Sequence, residues 1–244
     1  MKLLIDIGNT SAKLAVMDTD IVHFERCKEM ARNRPAHGLA WKDIFTRLMT
    51  TFPIMDVRLS TVAGEDTELK EALDALDVPV MWLTPSVPCP VKDVVGVPAT
   101  YGADRWAADI GAIAQDPDHT LLIIDAGTCI TYDLFSVDGR LLGGVISPGV
   151  QLRLNAMHEH TALLPQIEAE KDAVLMGHDT RTHMLSAAVN GARFEIEGYI
   201  RTLLREYPDL HVFITGGNTF AFSEDVMCPI THDPYLVFKG LASL

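Results

Sequence analysis

Positive charge is scarce in this sequence. Its 20 lysines and arginines stand against 33 aspartates and glutamates, a formal net charge of −13 over 244 residues. No basic stripe is available to neutralise a nucleic-acid backbone or to hold the chain on an anionic membrane. The molecule as a whole repels an anionic substrate, so attraction has to come from local cations, helix N-termini or a bound metal. Cysteine is sparse too. Cys27, Cys89, Cys129 and Cys228 are nowhere at C-x-x-C spacing. That excludes a zinc knuckle or thioredoxin-type pair and fits reduced thiols in a cytoplasmic protein. Long apolar runs are missing: Asp6 interrupts the first before it reaches signal-peptide length. No stretch approaches the ~20 apolar residues of a membrane span. Neither G-x-x-x-x-G-K-S/T nor G-x-G-x-x-G occurs.

What is there is a 48 % apolar composition, ordinary for a globular core, and a segment that occurs twice. "KLLIDIGNTSAKLAVMD", Lys2 to Asp18, reads as a buried strand running into Asp6, Gly8 and the polar cluster Asn9, Thr10 and Ser11. "LLIIDAGTCITYDLFSVDGRLLGGVI", Leu121 to Ile146, repeats it: Ile5-Asp6-Ile7-Gly8 aligns with Ile124-Asp125-Ala126-Gly127, and Thr10 with Thr128, one residue nearer. Both copies continue into two apolar stretches separated by Asp-containing turns, of which Asp138-Gly139 is the stronger hairpin signal. Each half therefore opens with a three-stranded meander. Each then shifts to a helical period, with Leu69, Leu73 and Leu76 in the first half and Leu185, Val189, Ala192, Ile196, Tyr199 and Leu203 in the second. Further strands are expected at "DVRLSTV", "VPVMWL" and "HVFITGG". The proline-rich "TPSVPCPVKDVVGVP" reads as a functional loop. The fold class is α/β, in two similar halves, residues 1–117 and 118–244, joined near Gln115 to Thr120, with one cleft between them.

A carboxylate at the mouth of a turn built for phosphate looks misplaced until a dication is added. A nucleoside triphosphate arrives with Mg²⁺, which takes one or two carboxylates together with phosphate oxygens and water. Asp6 and Asp125 suit the metal, and the turns' N–H groups and threonine hydroxyls suit phosphate oxygens. Lys13 is either a cation near the phosphates or a solvated surface lysine. A single Asp-x-Gly is usually only a turn; its repetition with the same flanks argues for more. His158 and His160 lie two apart on a predicted helix, which points them to different sides rather than at one metal.

"DIGNTSAK", "YGADR", "DAGTCITYD", "GGVISPG" and "TGGN" occur in the order found in type III pantothenate kinases, and the resemblance runs from Met1 to "FKGL". The Asp-x-Gly repeat alone resembles the wider actin, heat-shock chaperone and sugar-kinase superfamily, whose halves are ribonuclease H-like. The "GADR" element points to the narrower family. The resemblance implies ATP-dependent phosphorylation of pantothenate, the first step toward coenzyme A, with ATP in the cleft. It implies Asp104 as the base on the pantothenate hydroxyl, although an Asp opening a helix is also explained as an N-cap. It further implies Gly102, Ala103, Arg105 and Thr180 as substrate contacts, and Asp6, Ile7, Gly8, Asn9, Thr10, Ser11, Ala12 and Lys13 as the ATP phosphate loop. Thr128 becomes a further ATP contact, and Gly216 and Gly217 part of the adenosine motif. Asp125 corresponds to a monovalent-cation position, K⁺ or NH₄⁺, in competition with Mg²⁺ for the same carboxylate. The family's substrate tyrosine is replaced by Val95, and a tyrosine stands instead at Tyr101; both are candidate substrate-pocket positions, with either Tyr101 or a shifted loop covering the pocket or pantothenate held differently. A homodimer with the pocket completed across the interface is implied as well. The alternatives are a kinase of another small hydroxylated metabolite and a catalytically weak regulator resembling transcriptional accessory factors. The presence of Asp104, Asp125 and Thr128 speaks against the regulator.

Overall fold

The computed structural model describes residues 1–27, 40–62, 66–224 and 226–244. They form two compact units, residues 1–117 with 235–244, and residues 118–234.

The first unit opens with the meander β1 (Lys2–Ile7), β2 (Ala12–Met17) and β3 (Ile21–Cys27). It continues through α1 (Trp41–Thr51), β4 (Asp56–Thr61), α2 (Thr67–Asp74), β5 (Val80–Trp82) and α3 (Ala103–Gln115). The second unit repeats the opening as β6 (Thr120–Ala126), β7 (Cys129–Phe135) and β8 (Leu141–Pro148). It adds α4 (Val150–Glu159), α5 (Thr180–Leu204), β9 (Leu210–Gly216) and β10 (Ile230–His232). The sheet orders are β3-β2-β1-β4-β5 and, read from the meander outward, β8-β7-β6-β9-β10. In each, the first strand pairs antiparallel with the second and parallel with the one that follows the helical segment. The sequence repeat is thus a repeat of topology. β1 and β6 are the central strands, covered on both faces, which is why they read as unbroken apolar runs rather than alternating ones.

In the first unit α1 and α2 pack Trp41, Ile44, Phe45, Leu48, Leu69 and Leu73 onto one face of the sheet. Asp66 caps α2 by accepting from the Leu69 N–H at 3.0 Å, and its other oxygen takes the Trp41 indole N–H at 3.1 Å. In the second unit α5 turns Met184, Leu185, Ala188, Val189, Ala192, Ile196 and Ile200 toward β6 and β9. Ile200 takes the core position that the periodicity assigns to Tyr199. Tyr199 stays at the rim, its ring 4.8 Å from that of Tyr132.

The final helix, α6 (Leu236–Ser243), belongs with the first unit. Sequence order alone places it with residues 118–234, and local patterning has no means to say otherwise. Its partner is α3, approached so closely that a Cβ on Gly240 would lie 1.8 Å from the Ala107 carbonyl oxygen, and one on Gly111 2.3 Å from that of Leu236. Glycine at both crossing points lets the backbones touch. The last carbonyls of α6 are capped by strand residues: Arg58 donates to Leu241 and Ala242 at 3.0 Å each, and Lys2 Nζ donates to Ala242. Cations at a helix C-terminus meet its partial negative charge. No helix among the described residues is long and apolar enough to cross a membrane.

Candidate active site

In the first unit the register of the sheet assembles a buried charged row. Asp6 lies opposite Lys13 on β2 and opposite Ser60 on β4. Lys13 Nζ is 3.2 Å from Asp6 Oδ2, and the Ser60 hydroxyl donates to Oδ1 at 3.1 Å. Asp6 is only 4 % exposed. A carboxylate that deep needs such partners, because an unpaired charge in the core is costly. The β1–β2 turn is closed by the Gly8 N–H donating to the Ser11 carbonyl at 3.1 Å, which leaves Asn9 and Thr10 exposed at its tip. Ile7, Ser11 and Ala12 face inward, and the Ser11 hydroxyl accepts from Arg26 Nε at 2.8 Å. The predicted phosphate loop therefore divides into an outward tip (Gly8, Asn9, Thr10) and an inward base.

The start of α3 lies in the same unit. Gly102 is its N-cap, followed by Ala103, Asp104 and Arg105. Asp104 Oδ1 accepts the Arg105 N–H at 2.8 Å, and a Cβ on Gly102 would meet that oxygen at 2.6 Å. Glycine there leaves the carboxylate its place over the helix end. Burial first, and the charge of Asp6 second, push the Asp104 carboxyl above the ordinary carboxylate range; the Arg105 N–H and guanidinium oppose the shift. Two carboxylates from distant parts of the sequence thus sense one another. Tyr101 is buried, its phenol donating to Asp109 Oδ2 at 2.8 Å, and the Arg105 guanidinium carbon lies 4.5 Å from the centre of its ring. Val95 is 50 % exposed in the proline-rich loop, which the Trp106 indole fastens by donating to the Val87 carbonyl at 2.9 Å.

The second unit repeats the first turn in shorter form. The Gly127 N–H donates to the Cys129 carbonyl at 2.9 Å, two residues on, where Gly8 reaches three residues on. That difference is the single-residue offset between Thr10 and Thr128. Asp125 stands opposite Thr131 on β7 and Thr215 on β9. Around it the backbone is tightly clasped. Gly216, at φ +99°, comes so close that a Cβ would lie 2.5 Å from Asp125 Oδ1 and from the Ala126 carbonyl carbon. Gly149 would meet the Gly127 oxygen at 2.3 Å. Asn218 donates its side-chain amide to the carbonyls of Ala126 and Gly127, both at 2.9 Å. The "TGGN" asparagine thus holds the "DAGT" turn in place, a role its motif does not reveal. Beyond it opens a cavity of about 290 Å³ lined by Val150, Lys171, Val189, Gly217, Asn218 and Phe220. Gly217 falls on that wall, whereas Gly216 supplies the close approach. The wall residue Phe220 belongs to a loop tied to α5 by Glu197, whose carboxylate accepts from the Ser223 N–H at 2.9 Å and hydroxyl at 2.8 Å. Thr180 is the exposed first residue of α5, beside the capping box of Asp179 and Thr182. His158 Nδ1 is hydrogen-bonded to the Leu164 carbonyl at 2.7 Å.

Sequence reading missed Ser60, Asp109, Glu197 and Lys171, none of which stands in a motif. Each becomes visible only when strands or helices distant in sequence are set side by side.

Residues 2–202 match the sequence profile of the type III pantothenate kinase family. A type III pantothenate kinase of Bacteroides fragilis is 38 % identical over 242 residues, covering 99 % of this chain and 96 % of its own. One of Phocaeicola vulgatus is 36 % identical over the same span and coverage. Among solved structures, a candidate 2-dehydro-3-deoxygalactonokinase of Sinorhizobium meliloti superposes with a TM-score of 0.61 at 13 % identity, covering 100 % of this chain and 97 % of that one. At that identity the likeness concerns the fold.

Proposed function

Because the chain belongs to the type III pantothenate kinase family, we propose that Asp104 is the base of its phosphoryl transfer. The chain is an ATP-dependent pantothenate kinase and acts in the biosynthesis of coenzyme A. The observation that carries the assignment is the Asp104 carboxylate at the N-terminus of α3, partly buried, hydrogen-bonded to the Arg105 N–H and shifted upward in pKa. A carboxylate is too weak to ionise an alcohol outright. It orients the primary hydroxyl toward the γ-phosphorus and accepts the proton as the new O–P bond forms and the bond to ADP breaks. The upward shift makes Asp104 a better acceptor at neutral pH than an ordinary aspartate.

The supporting roles are those that the resemblance to the family implies. Arg105 holds the anionic end of the substrate, with Gly102 and Ala103 giving close backbone approach, and Thr180 is a further substrate contact. The tip Gly8, Asn9 and Thr10 takes phosphate oxygens, assisted by Lys13, while Ile7, Ser11 and Ala12 keep the turn in shape. Thr128 is a phosphate contact of the second unit, and the cavity beside Gly217 takes the adenosine. A divalent ion fits beside Asp6, where a positive charge would relieve the repulsion between that carboxylate and Asp104; it would supply neutralisation of phosphate charge. Asp125, among backbone carbonyls and threonines, is a hard-oxygen position suited to K⁺ or NH₄⁺.

The test is release of ADP from ATP and Mg²⁺, with and without pantothenate, in potassium and in sodium buffer. Release that requires pantothenate and is stronger in potassium is expected. Stimulation by another hydroxylated metabolite, with none by pantothenate, would overturn the substrate. Equal rates in the two buffers would remove the monovalent ion.

We propose also that two copies pair through the second unit. β8 and α5 leave Ile146 and Phe194 exposed next to the residues joined by the Ser147–Glu195 hydrogen bond. A solution mass near twice 26.8 kDa is expected; a single-chain mass at micromolar concentration would refute it. The four cysteines stand in no disulfide, which fits a reducing, cytoplasmic setting.

A further inference from the structure

We infer that Asp109 is a positioning residue for substrate binding, acting through Tyr101 on Arg105; the inference rests on the reading of Arg105 as the substrate-holding cation. Asp109 is fully buried on α3, one turn beyond Arg105 on the same side of the helix. A carboxyl in that position is costly unless it is hydrogen-bonded. It accepts the Tyr101 phenol at 2.8 Å. The phenol's ring in turn carries the Arg105 guanidinium, 4.5 Å above its centre. Tyr101 is fixed at its other end as well, its N–H donating to the Pro98 carbonyl at 3.0 Å. The three groups form a ladder of carboxyl, phenol and guanidinium.

Arg105 gains from such a support. It stands in the first turn of a helix, where the macrodipole disfavours a cation. The aromatic face offers the guanidinium a resting place by cation–π attraction. Donation of the phenol proton to Asp109 makes that face richer in electrons. The ladder therefore gives the Arg105 guanidinium a fixed seat beside the ring and spares the substrate the entropy of ordering a long side chain.

The experiment is steady-state kinetics with pantothenate and ATP varied separately. Tyr101→Leu and Asp109→Leu are each expected to raise the KM for pantothenate about tenfold, with kcat changed less than threefold and the KM for ATP unchanged. Asp109→Asn keeps an acceptor for the phenol and is expected to recover most of the affinity. The double variant Tyr101→Phe with Asp109→Leu removes donor and acceptor together, so no buried polar group is stranded and the fold is kept. Its melting temperature is expected near that of the parent while the KM for pantothenate stays raised. Recovery of KM together with stability in the double variant would overturn the inference, since Asp109 would then only hold the fold. A fall in kcat as large as the rise in KM would overturn it too. Arg105→Lys tests the underlying reading: an unchanged KM for pantothenate there would remove Arg105 from substrate binding, and the ladder's role with it.

Discussion

Asp104→Asn is expected to lower kcat by roughly 10²- to 10⁴-fold, to leave ATP binding intact, and to raise the melting temperature. The loss of turnover follows from removing the proton acceptor while keeping shape: the asparagine carbonyl still accepts the Arg105 N–H. The gain in stability follows from the direction of the pKa shift. Burial and the charge of Asp6 raise the Asp104 pKa, so the folded chain holds that proton more tightly than the unfolded chain does. Above the folded-state pKa the carboxylate is ionised in both states, and its ionisation costs folding stability. As pH falls through the folded-state pKa toward the unfolded value, near 4, that cost disappears. The neutral asparagine avoids it throughout. The variant should therefore melt on the order of 2 °C higher than the parent at pH 8 and at nearly the same temperature at pH 4. In the parent, kcat/KM for pantothenate should fall on the acid side with a midpoint above the ordinary aspartate range. Near-normal turnover would remove Asp104 as base. Equal melting temperatures at pH 8 would mean that the carboxylate is not electrostatically strained.

Much of the fold is legible in the amino-acid order alone. The repeat of Ile-Asp-x-Gly predicts two meanders of equal topology, because a strand buried on both faces, a short turn and an answering strand leave a signature that depends only on neighbours in sequence. Even the offset between Thr10 and Thr128 has its counterpart, in turns closed at Ser11 and at Cys129. What stays hidden depends on non-local approach. The ten residues that begin at Tyr235 pack with the first unit because Gly240 and Gly111 let two helix backbones touch, and a glycine in a sequence does not announce its partner. Asp109 reads as an unremarkable polar residue in "DRWAADIGAIA", since the Tyr101 phenol that justifies it comes from the preceding loop. Asn218 reads as part of a turn, since the carbonyls it holds belong to another strand's end. Tyr101 makes contacts that its place before the "GADR" element does not reveal. Its hydroxyl donates to the buried Asp109, and its ring carries the Arg105 guanidinium.

Asp6→Asn separates two roles that one carboxylate is proposed to fill. As a seat for the divalent ion, its loss should reduce kcat by about 10²-fold or more and raise the Mg²⁺ concentration needed for half-maximal rate. As a neighbour of Asp104, its loss should act in the opposite sense on proton affinity. With the negative charge of Asp6 gone, one of the two causes that raise the Asp104 pKa is removed, so the acid limb of the residual kcat/KM profile should move to lower pH. Lys13→Ala is the companion measurement, because Asp6→Asn also breaks the 3.2 Å ion pair to Lys13. Loss of Lys13 should weaken ATP use without moving the Mg²⁺ requirement upward. If Asp6→Asn and Lys13→Ala share one phenotype, Asp6 serves only to orient the lysine and the ion sits elsewhere. If the acid limb stays in place in Asp6→Asn, the two carboxylates are not coupled, and burial alone accounts for the shift. A lowered rate, a raised Mg²⁺ requirement and an acid limb moved downward, found together in one variant, are accounted for by an anion that binds the metal and repels the base.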